Sequence, residues 1–318
     1  MELTAFFDNF LVNEVNLNQG RLDLLNEKIE IIEEFFNNSN TFKKHFKGLV
    51  PQGSFGQKTI IKPPKDKDFD VDILLSLEPI NNWQPSDYIE KLYSEFYNDG
   101  NYKKIIEKNT RCVTLNYKGD FHVDIVPFLK IGGSFSIPNN DENKWEPTDP
   151  IAYTEWLTAK NLIANKYLIK TVRLFKYLRD IKQNFSVKSI LLNTLLGNCI
   201  SEKESLSNFK NLSTSFITVF DRLNSFLQSN PNMPTIKNPT LNAEDFNRHW
   251  DQDKYSNFKD KIKTYYEKAK EAYQEGDKQA SIKKWRLVFR EGFPDSIDED
   301  EKSKAFSVLS AKSKPWSN

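Results

Sequence analysis

"GSFGQKTIIKPPKDKDFDVDILLSL", residues 53–77, joins a small-residue turn, a basic loop and a run of alternating aspartates. From Phe69 to Leu77 apolar and polar residues alternate, the two-residue period of a strand with one buried face. Asp70 and Asp72 therefore share a face, with Val71 on the core side between them. Like charges on one strand face repel, and they lose hydration wherever that face is covered. Such a pattern asks for a cation.

A second stretch, "FHVDIVPFL" (121–129), supplies Asp124, again flanked by apolar residues on the alternate face. Three carboxylates on neighbouring strands of one sheet face can hold two Mg²⁺ ions, with Mn²⁺ as a substitute. Ions held so neutralise a triphosphate, activate an attacking hydroxyl and stabilise a leaving pyrophosphate. Upstream, Gly53 and Ser54 at a turn into a short helix offer backbone N–H groups and a hydroxyl to phosphate oxygens.

Each piece has a plainer reading. Asp70 and Asp72 could be a solvated strand face or pair with Lys62, Lys65 and Lys67, and Gly53-Ser54 alone is an ordinary turn and cap. The third aspartate, in a matching strand downstream of the turn, outweighs those readings. Asp68 has the same parity but reads as a loop-end or supporting residue, because Asp70-Val71-Asp72-Ile73 is the apolar-flanked pair. His122 shares the face of Asp124 and reads as a structural histidine.

The 318 residues include 45 basic and 44 acidic side chains, so no global field draws the chain onto nucleic acid or an anionic membrane. Cys112 and Cys199 are the only cysteines, too few for a disulfide framework or a four-ligand zinc site, and they suit a reducing, cytoplasmic setting. The opening "MELTAFFDNFLVNEVN" lacks a basic n-region and a long apolar core, so no signal peptide is expected. No run of eighteen apolar residues predicts a membrane span.

Organisation follows from periodicity. Residues 3–47 read as helical, Pro51 and Gly53 read as breakers after them, and "SDYIEKLYSEFY" (86–97) reads as a helix capped by Ser86. "RCVTLNY" (111–117) and "FHVDIVPFL" form a hairpin across Lys118-Gly119-Asp120. Residues 130–150, rich in Gly, Pro, Asn and Asp, read as loop. From Pro150 onward the period is helical, and "DSIDEDEKSK" (295–304) reads as a solvated tail. The expected fold class is α+β: a mixed sheet with N-terminal helices over 1–150, then an all-helical lobe over 151–318.

The order Gly-Ser, variable loop, Asp-x-Asp in a strand and a third Asp in a later strand resembles the polymerase-β-like nucleotidyltransferase superfamily. With "SIPN…W…TDP…W", "LIKTVRLFKYLRD…VKSILLNTLL" and "IKKWRLVFREGFP", the chain resembles the cGAS/DncV-like nucleotidyltransferases of bacterial CBASS anti-phage operons, over roughly residues 50–295. The resemblance implies a bilobed fold whose helical, oligoadenylate-synthase-like lobe closes an active-site cleft. It implies condensation of ribonucleoside triphosphates (ATP, UTP, CTP or GTP) into a cyclic di- or trinucleotide that activates an effector protein. By position, Asp70, Asp72 and Asp124 would be the catalytic metal ligands, and Gly53 and Ser54 would bind donor phosphates. Lys176 and Ser189 would hold the triphosphate tail. Lacking the Cys/His zinc insertion of the animal branch, the chain is not expected to sense double-stranded DNA. The ending "SKPWSN", without a terminal glycine, argues against C-terminal conjugation. A linear-product synthase or RNA-tailing enzyme, and a silent nucleotide- or RNA-binding module, are the competing readings.

Overall fold

The acidic strand forms where the alternation places it, over Phe69–Leu77. In the computed structural model, residues 1–64 and 68–310 are described. Lys65 and Lys67, offered above as ion-pair partners, and the ending "SKPWSN" lie outside the described residues.

Among the described residues, seven strands make one mixed sheet: β1 (Phe46–Gln52), β2 (Phe69–Leu77), β3 (Ile106–Lys108), β4 (Val113–Tyr117), β5 (Phe121–Ile131), β6 (Ser134–Asn139) and β7 (Lys144–Pro147). Their order is β1-β2-β5-β4-β3, with β6 on β5 and β7 on β6. β2 and β5 run parallel while the other pairings are antiparallel. A parallel pair needs a crossover, here built from the helix Pro85–Asp99 with β3 and β4. Val71, Ile73 and Leu75 of β2 and Phe121, Val123 and Ile125 of β5 are buried. The helix Gln19–Asn38 lies against β1, and Pro85–Asp99 lies against β3, β4, β6 and β7. Phe35 and Phe96 stack between these helices at 4.4 Å.

Four local expectations change. Residues 130–150 are not all loop: Gly132 and Gly133, at φ of 57° and 89°, make the tight turn between β5 and β6, and β7 follows. The glycines belong to a hairpin turn and not to a long connection. Pro51 does not break the chain but sits within β1, an end strand of the order, where a missing N–H is tolerated. The helix Pro85–Asp99 is capped by Gln84, not Ser86, in a reciprocal capping box with Asp87 and with Pro85 at the first position. Residues 299–310 are helical, with Glu299, Asp300 and Glu301 in the first turn, where they complement the helix dipole.

The described chain divides into two compact units. One holds the sheet and comprises Asn18–Lys58 and residues 68–154; the other comprises Met1–Leu17, Thr59–Pro64 and residues 155–310. Residues 1–17, grouped with the strands in the sequence reading, are thus part of the helical unit. Their aromatic face explains it. Phe7 meets Trp285 edge-on at 4.8 Å and Phe293 at 5.2 Å, and Phe10 meets Phe289 at 4.9 Å. Trp285, fully buried, is the centre of this cluster. Trp285→Ala should cost about 3–5 kcal/mol in chemical denaturation, the usual range for a large buried aromatic. Trp285→Phe should cost far less, since among the described residues the indole N–H has no hydrogen-bond partner to lose.

Candidate active site

The backbone register assembles the carboxylates. Asp72 of β2 is directly paired with Asp124 of β5, and Asp70 with His122. Because side chains alternate along a strand, Asp70, Asp72 and Asp124 occupy one sheet face, opposite the buried Val71, Val123 and Ile125. Asp70 is exposed, whereas Asp72 and Asp124 are half-buried.

β1 delivers the Gly-Ser turn to the same place. Its last residue, Gln52, is the register partner of Asp72, and the four-residue helix Gly53–Gly56 begins there. Gly53 has φ of 59°, and a Cβ on it would lie 2.0 Å from Asp72 Oδ2. Only glycine satisfies both the left-handed backbone and that close approach. Ser54 follows, half-buried.

Electrostatics at this face are unfavourable to charge. Burial, then the charges of Asp124 and Asp70, push the Asp72 carboxyl up to about 6. Burial and the Asp124 charge likewise push the Cys112 thiol up to about 12, so no thiolate nucleophile competes beside the site. Asp68 stands at the entry to β2 with Oδ2 3.4 Å from His122 Nε2, and His122 Nδ1 lies 2.5 Å from Asn116 Oδ1.

Among the described residues, no three His, Cys, Asp or Glu side chains converge into a ready metal shell. The residues nonetheless fit a hard divalent cation. The donor set is all oxygen, and Asp72 carries the raised pKa of a carboxylate short of a counter-ion. Asp70, Asp72 and Asp124 would hold such an ion.

Lys176 and Ser189 belong to the helical unit. Lys176 is 3% exposed, and its ammonium donates to Thr59 O at 3.0 Å and Thr59 Oγ1 at 2.8 Å. Burial, with Arg179 and Arg173 nearby, brings it down to about 7. Ser189 opens the helix Ser189–Asn198, and its Oγ accepts a hydrogen bond from Arg179 Nη1 at 3.2 Å. The sequence reading passed over Thr114 and Asn109. Thr114 Oγ1 donates to Asp124 Oδ1 and accepts from Asn109 Nδ2 at 2.8 Å.

Comparison with known proteins agrees with this architecture. A c-di-GMP synthase of Roseivirga ehrenbergii is 25% identical over 276 residues, covering 76% of this chain and 71% of that protein. A cyclic AMP-AMP-AMP synthase of an Acinetobacter species is 24% identical over 275 residues, covering 84% of this chain and 78% of that one. The structure of E. coli MS115-1 CdnC with ATP superimposes with a TM-score of 0.72 at 20% identity, covering 92% of this chain and 98% of that one. Residues 1–161, which include the Gly-Ser turn and all three aspartates, match the model of the Second Messenger Oligonucleotide or Dinucleotide Synthetase domain. The chain belongs to that family, and is a cGAS/DncV-like nucleotidyltransferase.

Proposed function

We propose that this chain condenses ribonucleoside triphosphates into a cyclic di- or trinucleotide, releasing pyrophosphate at each bond formed. The observation that carries the proposal is the pairing of Asp72 with Asp124, with Asp70 on the same face and Gly53 packed on Asp72. The names of the curated relatives, both cyclic-nucleotide synthases, support the class of product. They differ in base and ring size, so neither product is carried over.

Gly53 and Ser54 would receive donor phosphates through backbone N–H groups and the serine hydroxyl. Two Mg²⁺ ions held by Asp70, Asp72 and Asp124 would neutralise the triphosphate and lower the pKa of an acceptor 3′-hydroxyl. The absence of any Cβ at Gly53 lets the phosphate-binding backbone lie against the carboxylates. Asp124 would orient the attacking hydroxyl for in-line displacement at the α-phosphorus. Lys176 and Ser189 are assigned to the triphosphate tail. For Lys176 that role requires release from Thr59. The strand-bearing unit is then the catalytic core, and the helical unit the lobe that holds nucleotides. Among the described residues no helix is long and apolar enough to cross a membrane. Action in the cytoplasm, as a defence against phage through a product-activated effector, completes the proposal.

The test is incubation with Mg²⁺ and all four radiolabelled ribonucleoside triphosphates, then phosphatase treatment and chromatography. A phosphatase-resistant product is expected, and it should be lost in Asp70→Asn and in Asp124→Asn, because transfer of this kind rests on positioning and charge neutralisation. A phosphatase-sensitive product would point to a linear-product synthase. Near-normal turnover in either variant would remove the carboxylates from the mechanism.

A further inference from the structure

Thr114 of β4 is the register partner of Asp124 and is 7% exposed. Its hydroxyl accepts from Asn109 Nδ2 at 2.8 Å and donates to Asp124 Oδ1. A hydroxyl carries a single proton. With an amide hydrogen arriving from Asn109, that proton is directed to Asp124, which must receive it as an acceptor. Asn109 is itself anchored: its backbone N–H donates to Cys112 O at 2.9 Å, closing the turn that feeds β4. Asn109, Thr114 and Asp124 therefore form a directed chain of donors ending on one oxygen of the carboxylate.

We infer that Thr114, backed by Asn109, is a positioning residue that holds the Asp124 carboxylate in one rotamer for metal binding. Thr114 engages Oδ1 of Asp124, so its proposed role runs through that carboxylate. Partners that orient a metal ligand in this way typically change metal affinity or activity by about 10- to 100-fold when removed. The inference rests on the metal-dependent reading proposed above.

The experiment is a Mn²⁺ titration of the nucleotide-free protein followed by electron paramagnetic resonance, beside the Mg²⁺ dependence of product formation. Thr114→Val keeps the shape and removes the proton; it should weaken Mn²⁺ binding by about 10- to 100-fold and raise the half-saturating Mg²⁺ in parallel. The KM for nucleotide at saturating Mg²⁺ should move little. Thr114→Ser restores the hydroxyl and should return Mn²⁺ binding close to wild type. Asn109→Ala should weaken binding in the same direction, and it carries the test should the valine variant fail to fold. Wild-type Mn²⁺ binding in Thr114→Val or in Asn109→Ala, or a serine variant as weak as the valine variant, would overturn the inference. If wild type binds no Mn²⁺, or Asp124→Asn binds it unchanged, the metal-dependent reading itself fails and takes the inference with it.

Discussion

Asp72→Asn is expected to abolish product formation and, in the same protein, to raise the thermal midpoint of the metal-free fold at pH 7.5. The two effects share one cause. Burial and the charges of Asp124 and Asp70 raise the Asp72 pKa from 3.8 to about 6 in the folded chain. A raised carboxyl pKa means that protonation favours the fold. That stabilisation is complete below the unfolded value and is gone once pH has risen past about 6. Above this window the ionised side chain opposes folding by about 3 kcal/mol. Asparagine preserves the shape without the charge. Scanning calorimetry in EDTA should therefore show the variant melting above wild type at pH 7.5, with the difference closing as pH falls from about 6 towards 3.8. Added Mg²⁺ should raise the wild-type midpoint and do much less for the variant. A variant that melts below wild type in EDTA at pH 7.5 would contradict the electrostatic account.

The second large effect is expected at Gly53. Alanine there meets two obstacles at once, a φ of 59° and a carboxylate oxygen 2.0 Å from its Cβ. The backbone obstacle costs about 1–2 kcal/mol. The steric one is worse for catalysis than for folding, because relief comes from moving either the turn or Asp72. A displacement of about 1 Å at a reacting centre can cost about 100-fold in rate. Gly53→Ala should thus lose about 100-fold in kcat while its denaturation midpoint falls only modestly. Wild-type turnover in this variant would mean that the Gly-Ser turn does not need its close approach to Asp72.

Much of the site was legible because it rests on strand parity. Asp70 and Asp72 are two residues apart, and Asp124 lies in a strand whose apolar partners have the opposite parity, so one face could be read without knowing the fold. The parallel pairing of β2 with β5, which sets Asp72 opposite Asp124, could not, since it depends on a crossover of more than forty residues. Thr114 was within reach. A hairpin turning at residues 118–120 pairs Tyr117 with Phe121, and counting back along both strands pairs Thr114 with Asp124. The residue was missed because a threonine in "RCVTLNY" looks like ordinary strand material. Pro51 and the Gly132-Gly133 pair misled for the opposite reason. Their local meaning as breakers is real, but an edge strand and a tight hairpin absorb it. The grouping of residues 1–17 with the helical unit lies beyond any local pattern. It follows from which distant aromatics Phe7 and Phe10 meet.

That grouping decides how the protein can be recombined. A chimaera that splices the front of one relative to the back of another at residue 154 would inherit Phe7 and Phe10 from one parent and Trp285, Phe289 and Phe293 from the other. The seam would run through a packed aromatic cluster. A graft that respects the fold must carry three separate pieces together, Met1–Leu17, Thr59–Pro64 and residues 155–310. A unit exchanged between such relatives would therefore travel as a discontinuous block, and single-crossover hybrids should be selected against even where both parents are fully active.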